Sequence, residues 1–254
     1  MNIETATVLS NEQIYENGHL IWFHAPQIVS AKPGPGQFVM VHCSPGGADP
    51  LFARAFSFHR LADARFALLF AVVGRGTEWL ASRRRGDGVC VYGPLGKGYR
   101  LPRENANLLL IGGGVGVAPL VDLAERAVVK GHQVVAMMGA RSASGLLPAS
   151  AWPREVEYVT VTEDGSAGLR GRVTDHLGPY QEWASKLYAC GPNAMYRSLA
   201  STLRGNGRRQ RPEILMEEAM PCGWGMCYGC AVFTKHGVRL CCKDGPRFNL
   251  FDVF

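Results

Sequence analysis

Over the first hundred residues, short apolar runs are cut by glycine, proline and aspartate. Residues 6–9, 20–24, 38–42, 55–59, 66–73 and 88–92 are rich in Val, Ile, Phe or Tyr, and breakers such as Lys32-Pro33-Gly34-Pro35-Gly36 separate them. This pattern predicts six strands in a small antiparallel barrel, with one helical piece over 77–84. From about Asn105 the rhythm changes. Residues 108–111 form a buried-strand run; glycines follow, then positions 119–130 at helical spacing. Further strands are predicted at 133–138, 156–162 and 186–190, and a helix at 194–204. Strands alternating with helices indicate a parallel sheet with crossover connections. Residues 204–212 read as an exposed turn leading to a last strand at 213–216. The expected organisation is a β barrel plus α/β chain: a barrel over 1–102, a parallel-sheet domain over 103–211 and a compact tail over 212–254.

Composition fits that division. The 254 residues suffice for two medium domains, and 47% hydrophobic with 19% charged content describes an ordinary globular protein. The longest apolar stretch, 108–121, is broken by four glycines and a proline and is too short to span a bilayer. The opening Asn2-Ile3-Glu4-Thr5 is polar and acidic, so no signal peptide is expected. Eight cysteines without an export signal point to a reducing cytoplasm, where thiols serve as ligands or bystanders. The net charge of +6 includes the runs Arg83-Arg84-Arg85 and Arg208-Arg209. Neither run is interleaved with aromatics, so both read as solvated faces and no nucleic-acid partner is expected. Dinucleotide phosphates, or a redox partner with an acidic face, would use the same charge.

The strongest chemical signal is near the end. Cys222, Cys227 and Cys230 follow C-x4-C-x2-C among glycines, and Cys242 comes eleven residues later. That is the plant-type spacing for a [2Fe–2S] centre, in which two irons each need two thiolates. Zinc usually takes two separated C-x2-4-C knuckles; a non-redox zinc module is the competing reading. Cys241 and Cys242 compete for the fourth position. Cys242 shares strand parity with Val238 and Leu240, which favours it.

Three upstream turns acquire meaning from their order. Arg54-Ala55-Phe56-Ser57 opens a strand, where an arginine can pair with a phosphate or flavin oxygen and a serine hydroxyl can reach a ring nitrogen. Taken alone, an arginine beside an aromatic is more often surface packing. Gly74-Arg75-Gly76-Thr77 precedes a helix and offers backbone N–H groups and a hydroxyl to a pyrophosphate. Gly112-Gly113-Gly114-Val115-Gly116 follows the apolar strand and opens a helix, as in dinucleotide sites, although its spacing is not strict G-x-G-x-x-G. A tight structural turn is the alternative there. Cys190-Gly191-Pro192 ends a strand at the same sheet edge and leaves room for a nicotinamide, though such a cysteine is more often plain core. The seven histidines are scattered without metal-ligand spacing and are read as structural, with His59 held open because it follows the Arg54–Ser57 strand. No acid–base constellation is present in the sequence, which fits an electron carrier.

The ordered set resembles the ferredoxin–NADP reductase superfamily. It comprises Arg54-x-Phe56-Ser57, Gly76-Thr77, Gly93-Pro94-Leu95-Gly96-x-Gly98, Gly112-Gly113-Gly114-x-Gly116-x-Ala118-Pro119, Cys190-Gly191-Pro192 and the cysteine loop. The run from Met216 to Cys230, with Cys242-Lys243-Asp244-Gly245-Pro246, is similar to the electron-transfer subunits of class 1B dihydroorotate dehydrogenases. That resemblance covers nearly the whole chain. It implies FAD in the barrel, NAD in the central domain and a [2Fe–2S] cluster on Cys222, Cys227, Cys230 and Cys242. The C-x-D-G-P pattern supports Cys242 as the fourth ligand. Arg54, Ala55, Phe56 and Ser57 would contact the flavin; Ala71, Val72, Val73, Gly76 and Thr77 would line its pyrophosphate side. Gly113, Gly114, Gly116 and Cys190 would border the NAD site.

The implied activity is electron transfer in pyrimidine biosynthesis, from the FMN of a dihydroorotate-oxidising partner to NAD⁺, in a heterotetramer of two of each subunit. Family members commonly carry proline where Ala55 stands, and Arg141 leaves NADP open. Related subunits of hydrogenase, sulfite reductase or transhydrogenase complexes share the fold and cofactors; the transhydrogenase branch resembles this chain less, with an aspartate where Cys222 stands.

Overall fold

The structure, a computed structural model, describes residues 1–44, 49–205 and 211–254. The first strands are β1 (Asn2–Tyr15), β2 (Gly18–His24), β3 (Phe38–Val41), β4 (Arg54–Ser57), β5 (Arg60–Ala62), β6 (Arg65–Ala71) and β7 (Gly88–Leu95). They form one antiparallel sheet in the order β4-β3-β7-β1-β2-β6-β5. Helices α1 (Pro26–Ser30) and α2 (Arg75–Ala81) lie between strands. The six expected strands are present, and a seventh that the sequence reading missed, β5, follows the fourth after a bend. β4 pairs with β3, and β5 with β6. At the bend the Phe58 N–H donates to Gln37 and the His59 N–H to Ala67. One run thus joins both edges of the sheet and closes the barrel, which removes unpaired edges. Ile21, Phe23, Phe66 and Leu68 fill the interior, all fully buried.

The second half contains β8 (Asn107–Gly113), α3 (Ala118–Val129), β9 (Gln133–Ala140), β10 (Glu157–Thr162), β11 (Leu169–Arg170), α4 (Gly178–Trp183), β12 (Lys186–Cys190), α5 (Asn193–Gly205) and β13 (Glu213–Leu215). Strands β11-β10-β9-β8-β12-β13 are parallel in that order. Leu108 to Ile111 have no exposed surface, as a strand covered on both faces requires.

The tail carries the hairpin β14 (Ala231–Thr234) and β15 (Gly237–Leu240), then β16 (Arg247–Asn249) and α6 (Leu250–Val253). β16 returns antiparallel to β13, so the tail leaves and rejoins the central sheet. Part of the expected 204–212 turn, including Arg208 and Arg209, lies outside the described residues.

Some boundaries differ from the sequence reading. β1 runs far beyond residues 6–9 because its flanks are mostly polar, with half-buried and exposed positions, and give no apolar run. α2 starts two residues earlier than expected. The Thr77 hydroxyl accepts from the Val73 and Gly74 N–H groups and donates to the Gly74 carbonyl, fixing the helix start at Arg75.

Barrel and central domain are tied by directed hydrogen bonds. Arg60 meets Glu125 at 2.7 Å, and Arg126 donates to the Pro33 carbonyl at 2.8 Å. The buried His59 Nδ1 lies 2.8 Å from the Ala118 carbonyl, and the Tyr99 hydroxyl donates to Ala189 at 2.7 Å. Burial lowers the His59 pKa to about 4; the bond to Ala118 opposes this and the charge of Arg60 adds to it. A histidine kept neutral when folded stabilises fully above its unfolded value of 6.5, and that contribution fades as pH falls toward 4. The expected result is that, in urea unfolding at pH 7 and pH 5, His59→Asn loses about 2 kcal/mol less on acidification than the unsubstituted chain. Equal losses would show that His59 does not titrate between the two states.

Candidate redox site

A cavity of about 860 Å³ opens between barrel and central sheet, large enough for a dinucleotide-sized cofactor. β4 supplies Arg54, Ala55, Phe56 and Ser57 to its wall; the end of β6, the turn after it and the first turn of α2 supply Ala71, Val73, Gly76 and Thr77. Ring packing of Phe56 on Phe70, centroids 5.7 Å apart, holds β4 against β6. The exposed Arg54 donates to the Phe52 carbonyl at 2.7 Å, and its Nε stands 3.4 Å from where a Cβ on Gly76 would be. Glycine there lets the arginine lie across the helix start. Val72, just past the end of β6, is not among the residues that line the cavity and packs against the barrel core. Thr77 lines the cavity with its hydroxyl already engaged by the local backbone.

The opposite wall comes from two turns at the carboxyl edge of the parallel sheet. Val115, Ala118 and Pro119 line it from the glycine turn, and Cys190 from the end of β12. Gly113 and Gly116 do not line the cavity; they let the two turns touch. A Cβ on Gly116 would come 2.4 Å from the Cys190 carbonyl oxygen, and one on Gly113 would come 2.8 Å from Met195 Sδ. Gly114 has open space and a φ of +55°, which suits glycine. Behind the wall, Cys190 Sγ meets Glu217 Oε1 at 3.7 Å. Burial raises the Cys190 thiol, with the charge of Glu217 adding to the rise, and burial also raises Glu217. A thiol held protonated is a poor nucleophile, so Cys190 serves as a small wall residue.

The segment after β13 joins the cavity to the cysteine loop. Met216, Glu217, Met220 and Pro221 line the cavity, and Cys222 follows directly. The Met216 N–H donates to Pro246, and its carbonyl accepts from the Cys241 thiol at 3.2 Å. Of the four expected ligands, Cys222, Cys227 and Cys230 share one loop, and Cys242 meets it where its N–H donates to Cys230 Sγ at 3.4 Å. Among the described residues, no three His, Cys, Asp or Glu side chains, these cysteines included, converge closely enough to hold a metal ion.

Backbone N–H groups of Trp224, Gly229 and Cys242 point at Cys222, Cys227 and Cys230 sulfurs, at 3.3, 3.4 and 3.4 Å. Burial alone would raise Cys222, but backbone donors from Trp224, Cys227 and Met226 outweigh it and lower its pKa to about 6. Such a nest favours thiolate and sulfide charge, and the residues therefore fit a [2Fe–2S] group.

Strand parity, the sequence argument for Cys242, does not apply: β15 ends at Leu240, and both cysteines sit in the following turn. Asp244 shapes that turn by accepting from the Leu240 N–H, and Cys241 points instead at Met216. The sequence reading missed the seat of the loop. Gly223, at φ +69°, rests on Met40, and the Tyr92 hydroxyl donates to the Cys222 carbonyl at 3.3 Å. No local signal marks contacts separated by 130 residues.

Residues 217–254 match the family model described as the iron–sulfur cluster binding domain of dihydroorotate dehydrogenase B, and 110–201 match an oxidoreductase NAD-binding domain. The chain is 35% identical over 258 aligned residues to the electron transfer subunit of dihydroorotate dehydrogenase B (NAD(+)) from Desulforamulus reducens, covering 98% of this chain and 97% of that protein. The corresponding subunit from Bacillus cereus is 32% identical over 262 residues, covering 100% and 99%. Among solved structures, an NADH-dependent reduced ferredoxin–NADP oxidoreductase superposes with a TM-score of 0.86 at 26% identity, over 99% of this chain and 90% of the other. A ferredoxin–NADP⁺ reductase from Neisseria gonorrhoeae with bound FAD and NADP shares the fold, with a TM-score of 0.69 at 19% identity over 85% of this chain and 98% of that one.

Proposed function

Because the chain belongs to the family of electron-transfer subunits of dihydroorotate dehydrogenase B, we propose that it carries electrons from the FMN of a dihydroorotate-oxidising partner to NAD⁺, in pyrimidine biosynthesis. The observation that carries this reading is the shared wall: one segment lines the cavity at Met216–Pro221 and becomes the cysteine nest at Cys222. A flavin held in the cavity and a cluster held on the cysteines would have only that segment between them. When bound, FAD exchanges hydride with a nicotinamide and single electrons with a [2Fe–2S] centre, which explains why one chain holds both.

The residues divide the work. Arg54, Ala55, Phe56 and Ser57 hold the flavin against the barrel, with Ala71, Val73, Gly76 and Thr77 around its phosphates. Arg54 supplies the charge that a pyrophosphate needs. Gly113, Gly114 and Gly116 let the β8–α3 turn approach a dinucleotide, and Cys190 leaves space for its ring. Cys222, Cys227, Cys230 and Cys242 hold the cluster, while the N–H groups of Trp224, Gly229 and Cys242 stabilise its charge. The dinucleotide is NAD, as in the relatives' names.

The partner docks over the cysteine loop. Trp224, Met226 and Tyr228 are exposed beside the ligands, and Phe233 and Val238, opposite each other on the β14–β15 hairpin, extend the apolar area. We assign two of each subunit to the complex. Its place is the cytoplasm, supported by eight free cysteines and by the lack, among the described residues, of a helix long and apolar enough to cross a membrane. Met226→Glu combined with Phe233→Glu is expected to weaken partner binding at least tenfold in calorimetry, with the cluster spectrum unchanged. Unaltered affinity would move the docking face elsewhere.

The function itself is tested by co-expression with the family's catalytic subunit. The complex is expected to reduce NAD⁺ on addition of dihydroorotate, and the catalytic subunit alone is not. NAD⁺ reduction by the catalytic subunit without this chain would refute the reading.

A further inference from the structure

Among the hydrogen bonds that tie the barrel to the central domain, two run from buried barrel side chains to the turns of the far cavity wall. His59 lies at the bend between β4 and β5, with 1% of its surface exposed, and Tyr99 follows the barrel with 5% exposed. His59 Nδ1 is 2.8 Å from the carbonyl of Ala118, which lines the cavity at the start of α3. A carbonyl carries no proton, so Nδ1 is the donor. Tyr99 donates at 2.7 Å to the carbonyl of Ala189, the residue before the cavity-lining Cys190. Each barrel side chain therefore holds one of the two turns that form the far wall. Those turns also touch each other at Gly116 and Gly191, where an added Cβ would come 2.7 Å from the Gly191 Cα. The two pins and this contact make a closed triangle: barrel to Ala118, Ala118 through the glycine turn to Gly191, and Ala189 back to the barrel.

We propose that His59 and Tyr99 are positioning residues for hydride transfer, setting the distance between a flavin held on the barrel and a nicotinamide held on the two turns. This rests on the functional reading above. Neither side chain lines the cavity, so neither touches the reacting atoms. Their effect passes through the backbone of Ala118 and Ala189. Small displacements of reacting groups slow transfer strongly while leaving dinucleotide affinity nearly intact, because affinity draws on contacts along the whole ligand.

The test uses the full chain loaded with FAD and cluster, mixed anaerobically with NADH in stopped flow. Tyr99→Phe removes only the hydroxyl, and His59→Leu removes the imidazole donor. Each is expected to slow flavin bleaching about tenfold, with the apparent NADH affinity changed less than about twofold. FAD content and the electron paramagnetic resonance spectrum of the cluster should be unchanged. His59→Asn, which places an amide donor near the Nδ1 position, is expected to recover most of the rate. If His59→Leu does not fold, Tyr99→Phe decides alone. A lower melting temperature with an unaltered bleaching rate would overturn the inference and leave both residues as packing. Failure of NADH to bleach the flavin in the unsubstituted protein would instead overturn the functional reading.

Discussion

Cys242→Ser is expected to purify with FAD but with iron falling from about two atoms per chain toward none. Cys241→Ser, one residue away, is expected to keep its iron. The two residues differ by direction. Cys242 donates its N–H to Cys230 Sγ, inside a nest whose N–H groups point at sulfur, whereas the Cys241 thiol is committed to the Met216 carbonyl. A serine at 242 is a harder oxygen ligand and leaves one iron short of a thiolate. Reduction of an artificial dye by NADH, which needs only the flavin, should survive in Cys242→Ser. Electron delivery from the partner should fall by roughly 100-fold or more, because its route runs through the loop. Iron analysis and visible spectra check the first expectation, and parallel dye and partner assays the second. Cluster loss in Cys241→Ser with retention in Cys242→Ser would reverse the assignment.

The second large effect is expected at Gly116. The methyl of Gly116→Ala would lie 2.4 Å from the Cys190 carbonyl oxygen, 2.6 Å from its carbon and 2.7 Å from the Gly191 Cα. All three are backbone atoms, so no rotamer change relieves the contact and the two turns must separate. Overpacking of this kind costs about 1–3 kcal/mol. If that strain displaces the nicotinamide-side turns, NADH-driven flavin reduction falls by roughly 5- to 150-fold. Gly114→Ala, where a Cβ meets nothing within 4 Å, probes a different cost, since its φ of +55° is left-handed. Its expected effect is about 1 kcal/mol on stability. Stopped-flow rates and urea midpoints for the two variants separate crowding from backbone strain. Equal, small effects on flavin reduction would mean that the turn contact does not position the dinucleotide.

Much of this architecture was legible because burial imposes a period. The run Leu108–Ile111 announced a strand covered on both faces, and the change from short strands to strand–helix alternation announced an antiparallel sheet followed by a parallel one. Where period fails, the reading failed too. β1 has few buried positions over much of its length, so its ends were invisible, and the bend that closes the barrel depends on partners supplied by Gln37 and Ala67.

The site divides in the same way. Cys222, Cys227 and Cys230 were readable from spacing, since one loop must wrap one cluster. Cys242 was favoured over Cys241 by strand parity, a reason the turn at Cys241–Asp244 does not support, and its N–H contact with Cys230 was not legible. The seat on Met40 and Tyr92, and the pairing of His59 with Ala118, are products of tertiary packing that no local pattern encodes.

The most direct test of the central claim is an anaerobic titration of the purified full chain with NADH, followed by visible absorbance and electron paramagnetic resonance. One chain that joins a flavin cavity to a cysteine nest by a shared wall predicts bleaching of bound flavin together with the signal of a one-electron-reduced [2Fe–2S] centre. A protein that carries zinc in place of iron, or whose flavin bleaches while the cluster stays oxidised at every NADH concentration, would contradict it.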